Sequence, residues 1–136
     1  MPAFVEFESF AATELSDAWI EGDEDARWRS TQGAVGQSSG SSLLEVPPGC
    51  RLPRHTDSAE ETIVVVDGVA SVIVGDEHAE IPAGGVALVP RHVPHEVRNA
   101  GDPPLRFVAL YASADVVTTY EQPIQPGGDR KREPLG

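Results

Sequence analysis

Hydrophobic residues in this chain occur in short runs that end at glycine, proline or charged residues. Such runs are typical of the strands of an all-β protein. The runs that predict strands are Leu43 to Val46, Thr62 to Val66, Val69 to Val74, Val86 to Val89, His95 to Arg98 and Leu105 to Tyr111. The segment Thr13 to Ile20 instead predicts a brief helix. The spacing of runs and turns predicts a small β-barrel or jelly roll.

The run Thr62 to Val66 is apolar on both faces. Side chains alternate along a strand, so Ile63 and Val65 share one face while Val64 and Val66 share the other. A strand of this kind must be covered on both sides. We expect the interior of a barrel on one side and another sheet or a second subunit on the other, which predicts a homodimer.

Four residues with metal-binding side chains lie next to the predicted strands. His55 and Asp57 are two positions apart and share a face if that segment is extended. Glu61 can join them only if the chain turns at residues 58–60, where small and polar residues permit a turn. His95 begins another strand. Imidazole nitrogens and carboxylate oxygens bind divalent metals, so the four side chains could close around one cation.

An ion pair is a second explanation for Glu61. A carboxylate that points into a barrel needs a partner, because its burial without one is costly. A metal ion would be one such partner. An arginine would be another, and Arg51, Arg54 and Arg106 are the candidates.

Two segments resemble the two sequence motifs of the cupin superfamily. The first segment has Gly49, five residues, His55-Thr56-Asp57, three residues, Glu61, six residues and Gly68. The second has Gly84, five residues, Pro90-Arg91-His92, two residues, His95, three residues and Asn99. Both segments match the spacing of the family motifs. They depart from them at two positions, since Asp57 replaces the usual second histidine and His92 replaces the usual glycine.

The resemblance implies a single-domain cupin jelly-roll β-barrel over residues 31–117. Residues 1–30 are expected to pack on the barrel or on a dimer partner. Residues 118–136, which are rich in proline, glycine and charge, are expected to form a loosely ordered tail.

The resemblance also implies a divalent metal ion held by His55, Asp57, Glu61 and His95. Iron or manganese is favoured, since a carboxylate in place of a histidine favours harder ions, and zinc, nickel or cobalt are possible. Two alternatives stay open for Asp57. The other three residues could bind the metal without it, or the change to aspartate could have abolished metal binding.

The functions that the resemblance implies include dioxygenases, decarboxylases, isomerases, lyases and cyclases. Two histidines and a carboxylate leave open metal positions, as in non-haem iron oxygenases, so we expect an oxygenase that acts on a small molecule. Glu61 is the candidate catalytic residue, as a general base. The alternatives are a non-catalytic binding or sensory module, a metal-dependent isomerase, lyase or cyclase, and a scaffold without metal.

Composition narrows the list of partners. The net charge of −12 argues against nucleic-acid binding, which needs a basic surface. The single cysteine, Cys50, cannot form an intramolecular disulfide. The N-terminus lacks the features of a secretion signal, and no apolar run is long enough to span a membrane. A cytoplasmic protein with no membrane contact is the expectation.

Overall fold

The computed structural model describes residues 9–11 and 13–132. These residues form twelve β-strands, and no α-helix is present among them. The strands are β1 (Ser16–Ile20), β2 (Asp23–Gln32), β3 (Gly40–Val46), β4 (Arg51–Asp57), β5 (Glu61–Asp67), β6 (Val69–Val74), β7 (Glu77–Pro82), β8 (Val86–Val89), β9 (His95–Asn99), β10 (Leu105–Tyr111), β11 (Thr118–Ile124) and β12 (Asp129–Arg132). No helix in the described part is long and apolar enough to cross a membrane.

The strands form two antiparallel sheets of six strands each. The first sheet has the order β1-β2-β3-β10-β5-β8, and the second has the order β12-β11-β4-β9-β6-β7. Strands that are adjacent in sequence, such as β4 and β5, lie in different sheets, so the chain crosses repeatedly between the two layers. This is a jelly-roll arrangement, and it confirms the predicted all-β class.

The core lies between the sheets and is built by alternation. On β5, Ile63 and Val65 point inward and are buried, while Val64 and Val66 point outward. On β10, Phe107 and Ala109 make the same inward contacts. Strands β5, β9 and β10 all alternate in this way, so each supplies two or more side chains to the interior between the sheets.

The three glycines of the motif-like segments share a backbone conformation. Gly49, Gly68 and Gly84 have φ angles of 76°, 85° and 87°. Glycine adopts positive φ at little cost, whereas other residues rarely do. A Cβ atom at Gly68 would also lie 3.1 Å from the carbonyl oxygen of Pro104. These glycines therefore permit the tight turns that bring the donor-bearing strands together.

Two local predictions differ from the structure. Thr13 to Ile20 was predicted as a helix, but residues 16–20 form β1, which pairs with β2 at the edge of the first sheet. The predicted loose tail contains β11 and β12, and β11 pairs directly with β4. In both places pairing with a neighbouring strand outweighs weak local preference. Residues 133–136, the end of the predicted tail, and residues 1–8, part of the predicted N-terminal segment, lie outside the described residues.

Candidate metal centre

The four predicted donors meet between the two sheets. His55 and Asp57 lie on β4, His95 lies opposite them on β9, and Glu61 comes from β5 in the facing sheet. One ligand atom from each residue lies within 4.8 Å of the ligand atoms of the other three, and all four side chains are buried. The turn at residues 58–60 that the sequence required for Glu61 is present between β4 and β5. The arrangement could hold a single metal ion.

Both imidazole rings are oriented by the backbone. The Nδ1 atom of His55 is 2.7 Å from the carbonyl oxygen of Pro53, and that of His95 is 2.9 Å from the carbonyl oxygen of Val93. A carbonyl oxygen only accepts, so each Nδ1–H donates and each Nε2 faces the other donors. Metal-binding histidines are commonly held in this way, by a hydrogen bond from the nitrogen that does not bind the metal.

One oxygen in the cluster lacks a hydrogen-bond partner. Asp57 Oδ2 is buried and accepts no hydrogen bond from any described residue, although it lies 3.1 Å from Nε2 of His95 and 3.8 Å from Nε2 of His55. The Nε2 atom of His95 is also 3.0 Å from Glu61 Oε1, with which it forms a well-directed hydrogen bond. Because Nε2 carries at most one hydrogen, we assign that hydrogen bond to Glu61. A buried, unpartnered carboxylate oxygen that faces two imidazole nitrogens suits a cation.

The other oxygen of the same carboxylate is held by β11. The hydroxyl group of Thr118 donates a hydrogen bond of 2.6 Å to Asp57 Oδ1. Thr118 and Asp57 are direct partners in the pairing of β11 with β4. This contact fixes the rotation of the carboxylate, so that Oδ2 points toward the histidines.

The pKa values in the cluster reflect burial and mutual contact. Burial and the nearby His95 lower the pKa of His55 to about 4. Burial opposes the charged form of His95 too, but its contacts with the carboxylates of Asp57 and Glu61 raise its pKa to about 10. Burial, together with the charge of Asp57, raises the pKa of Glu61 to about 8. Burial also works against the charge on Asp57, yet contact with His95 and His55 lowers its pKa. In the absence of metal at pH 7, His95 and Glu61 therefore hold protons.

The alternative ion pair between Glu61 and an arginine is not formed. The three candidate arginines instead bind acidic residues away from the cluster, in the pairs Arg51 with Asp23, Arg54 with Glu121 and Arg106 with Glu45. Among the described residues, the nearest basic partner of Glu61 is thus His95. The arginine alternative for Glu61 is therefore excluded among the three candidates.

A cavity of about 330 Å³ adjoins the cluster. Its wall includes Trp28, Ser42, Tyr111, Thr118 and Tyr120, but none of the four donors. Tyr120 links the cavity to the donors, since its ring centroid is 5.0 Å from that of His55 and 5.4 Å from that of Trp28. Burial raises the pKa values of both tyrosines, so their hydroxyl groups stay protonated. A small molecule in this space would face hydroxyl groups and two stacked aromatic rings.

His92 occupies the position where the family usually has glycine. Its φ angle is 64°, in the left-handed region that glycine adopts most easily. Its side chain is exposed, and its backbone N–H donates to the carbonyl oxygen of Asp57 at 2.8 Å. The residue thus ties the loop before β9 to the end of β4 through its backbone.

Sequence reasoning missed the residues that support the site from the C-terminal strands. Thr118 and Tyr120 fell in the segment predicted as a loose tail, and they contact Asp57 and His55. A signal was present, because the run Thr118 to Tyr120 is β-branched and aromatic. The prolines and glycines that follow it concealed that signal.

Comparisons with known proteins agree with the fold. A family model described as a cupin domain matches residues 42–111, about half of the chain. Among solved structures, the Cnp3 cupin domain of Schizosaccharomyces pombe aligns with a TM-score of 0.65 at 18% identity, over 77% of this chain and 72% of that one. KdgF from Halomonas sp. aligns with a TM-score of 0.64 at 15% identity, over 80% and 94%. Oxalate decarboxylase from Lactobacillus farciminis aligns with a TM-score of 0.61 at 22% identity, over 73% and 31%. A comparison with curated proteins found no significant match.

Proposed function

The chain belongs to the cupin domain family, and from this premise we propose that it is a metal-dependent enzyme that acts on a small molecule. The observation that carries the proposal is the oxygen Oδ2 of Asp57, which is buried and lacks a hydrogen-bond partner among the described residues. It faces the Nε2 atoms of His55 and His95. A cation among these atoms would satisfy the oxygen and use both nitrogens.

The proposed ligands are His55, Asp57, Glu61 and His95. Two neutral imidazoles and two carboxylates balance the charge of one divalent ion. The second carboxylate favours harder ions, so iron or manganese is proposed ahead of zinc, nickel and cobalt. Such an ion would supply Lewis acidity and, for iron or manganese, redox chemistry at positions left open for small molecules.

Oxygenase-type chemistry is the reaction that we favour. His55 and His95 with one of the two carboxylates make up the donor set of non-haem iron oxygenases, and release of the second carboxylate would open a further position. The protein's own contribution is to orient both imidazoles through Nδ1 and to hold Asp57 through Thr118. Tyr111 and Tyr120 line the adjacent cavity, where they would bind the oxygen atoms of a substrate and exclude water.

Glu61 is the proposed general base. It is the single donor from the first sheet, while the other three lie on β4 and β9 of the second sheet. Glu61 can therefore leave a metal without disturbing the histidines and Asp57. Its Oε1 atom lies 3.0 Å from Nε2 of His95 and accepts its hydrogen bond. A metal bound to that nitrogen would remove this hydrogen bond and free the carboxylate to take a proton from a substrate.

Metal analysis and oxygen uptake test the proposal together. Protein purified without oxygen should hold about one divalent ion per chain, as expected for a single four-donor site. With a panel of small molecules, oxygen consumption should accompany the loss of one panel member and should vanish in His95→Ala. Protein that folds normally but binds no divalent metal at micromolar concentration would overturn the proposal of a metal enzyme.

A second candidate follows from the cavity. Its wall carries hydroxyl groups and stacked rings, which suit reversible binding as well as turnover. A metal-dependent isomerase, lyase or cyclase would consume a panel member without oxygen uptake. A non-catalytic binding or sensory module would bind a panel member and leave it unchanged.

A further inference from the structure

The cavity beside the donor cluster contains one unpaired positive charge. Two charged residues line it, Asp17 and Arg132. Asp17 is 75% exposed and forms an ion pair of 3.1 Å with Arg29. Arg132 forms no ion pair with any carboxylate in the described part of the chain. The charge of Arg132 is therefore available to a molecule in the cavity.

The backbone positions the Arg132 guanidinium group. Arg132 lies on β12, and its Nη2 atom donates to the carbonyl oxygens of Ile124 and Pro126 at 3.4 Å and 3.2 Å. The Nη1 and Nε atoms have no hydrogen-bond partner among residues 9–11 and 13–132. A guanidinium group that is held through one nitrogen and free at the other two can bind a carboxylate with good geometry.

The negative charge of the rest of the chain helps to identify the ligand that Arg132 would bind. The chain as a whole carries a net charge of −12, which repels anions. The carboxylates of Asp57 and Glu61 would neutralise a divalent ion, so the proposed metal centre would contribute no excess positive charge. A single arginine matches the single negative charge of a carboxylate better than the double charge of a phosphate group.

We propose that the cavity binds a small aromatic molecule with one carboxylate group, which Arg132 contacts through its free nitrogens. The stacked rings of Trp28 and Tyr120 provide the flat apolar wall for the aromatic part. A volume of 330 Å³ is near the lower end of ligand pockets, which span about 300 to 1,000 Å³. The inference deepens the proposed function, on which it rests, because it names the class of molecule that the cavity beside the donors would hold.

Benzoate and benzamide are suitable probes, since they have the same shape and differ in charge. Dissociation constants can be measured by ligand-observed NMR on the whole chain. The measurement is made on protein loaded with zinc, which is diamagnetic, and again after a chelator has removed the metal. A charge-assisted bond to arginine should make benzoate bind about tenfold more tightly than benzamide. Arg132→Gln should bring the two dissociation constants close together, and Arg132→Lys should retain part of the difference.

Lys131→Gln is the matched control. Lys131 is exposed, adjacent in β12 and outside the cavity lining, and its substitution changes the net charge by the same amount. It should leave the preference for benzoate unchanged. Equal binding of the two probes by the wild-type chain, or a preference that survives in Arg132→Gln, would overturn the inference. A preference for benzoate that depends on Arg132 in the metal-free chain would support the inference even if the chain never binds metal. The failure of this inference can therefore be told apart from the failure of the proposed metal enzyme.

Discussion

The two faces of strand β5 break the usual pattern of a half-buried strand in opposite ways. On the inner face, Glu61 places a carboxylate in the interior with 3% of its surface exposed. On the outer face, Val66 leaves an apolar side chain 43% exposed. Polar residues usually face solvent and apolar residues the core. The strand thus has a polar group where solvent is excluded and an apolar group where solvent is present.

Neighbouring strands carry both features further: buried polar side chains on the inner face and exposed apolar side chains on the outer face. The inner anomaly continues to β4 and β9, which supply His55, Asp57 and His95. The outer anomaly continues to β8 and β10, where Val86, Leu88 and Leu110 are exposed by 58%, 59% and 44%. Leu88, Thr62 and Leu110 lie side by side in the strand pairing. We call Val66, Val86, Leu88 and Leu110 the outer patch.

The buried donor cluster and the exposed outer patch each lack a partner, but the partners that they need differ in kind. Some of the buried donors form hydrogen bonds with one another, but one carboxylate oxygen lacks a hydrogen-bond partner. A single ion would supply that partner. The outer patch has no polar atom to satisfy, so a broad apolar surface would be needed to cover it. The inner site therefore points to a small ligand, and the outer patch points to a macromolecule.

Removal of His95 should have the largest effect on the inner site. His95 contacts both carboxylates, so His95→Ala leaves them without their basic partner and removes one metal donor. Loss of a direct ligand should weaken metal affinity by more than about 100-fold, the upper range found for residues that merely support a ligand. Equilibrium dialysis followed by elemental analysis measures this change.

His78→Ala is the matched control for that variant. His78 is exposed and its Nε2 atom contacts Ser71, away from the cluster. It should retain full metal stoichiometry. Circular dichroism should show that both variants keep β structure. If His95→Ala bound as much metal as wild type, the proposed ligand set would have to be abandoned.

The pH dependence of metal binding should be the next largest effect. The raised pKa values of Glu61, about 8, and His95, about 10, mean that both hold protons at pH 7. A metal must displace these protons, so its apparent affinity rises with pH, by about 100-fold from pH 6 to pH 7 if two protons leave. Titration calorimetry in buffers of different ionisation enthalpy counts the protons released. Affinity that stays constant over this range would contradict the assignment of both residues.

Asp57 should contribute less than His95, and its replacement distinguishes the alternatives left open by the sequence. Asp57→Ala removes the unpartnered oxygen and should weaken metal affinity by at least about 10-fold, while both imidazole donors stay in place. Asp57→His restores the residue that is usual in the family and should preserve or strengthen binding. An alanine variant with wild-type affinity would show that Asp57 is no ligand, and would leave His55, Glu61 and His95 as the site. The same dialysis experiment provides the measurement.

Much of the inner site could be predicted from sequence because its residues lie in strands whose ends are marked by glycine and proline. Gly49, Gly68 and Gly84 marked the turns, and the spacing of His55, Glu61 and His95 matched a known pattern. The resemblance to a family supplied the long-range contact between β4 and β9. Local alternation alone could not have predicted it, since pairing between distant strands depends on the whole sheet.

The contributions of the chain ends could not be predicted in the same way. β1 and β11 are weakly patterned, and each forms because an edge of an existing sheet offers it backbone partners. The role of Thr118 depends on its register opposite Asp57, and a shift of one residue would turn its side chain to the other face. The outer patch was predicted as a surface that needs cover, because both faces of Thr62 to Val66 are apolar.

The smallest expected effect concerns the outer patch, which we propose is covered by a second copy of the chain. Two chains that each carry a charge of −12 repel one another, so an uncharged surface favours their close approach. β8 is an edge strand of its sheet, and a twofold axis beside it would bring the same patch from both copies together.

Leu88→Glu should weaken the dimer by about tenfold or more, since a buried unpaired carboxylate is costly. Leu88→Met, which keeps the volume, should leave it intact. Light scattering over a range of concentrations gives the dissociation constant, and metal content should be unchanged in both variants. A wild-type chain that is monomeric at high concentration would exclude this dimer, and the apolar face of β8 would then need a different partner.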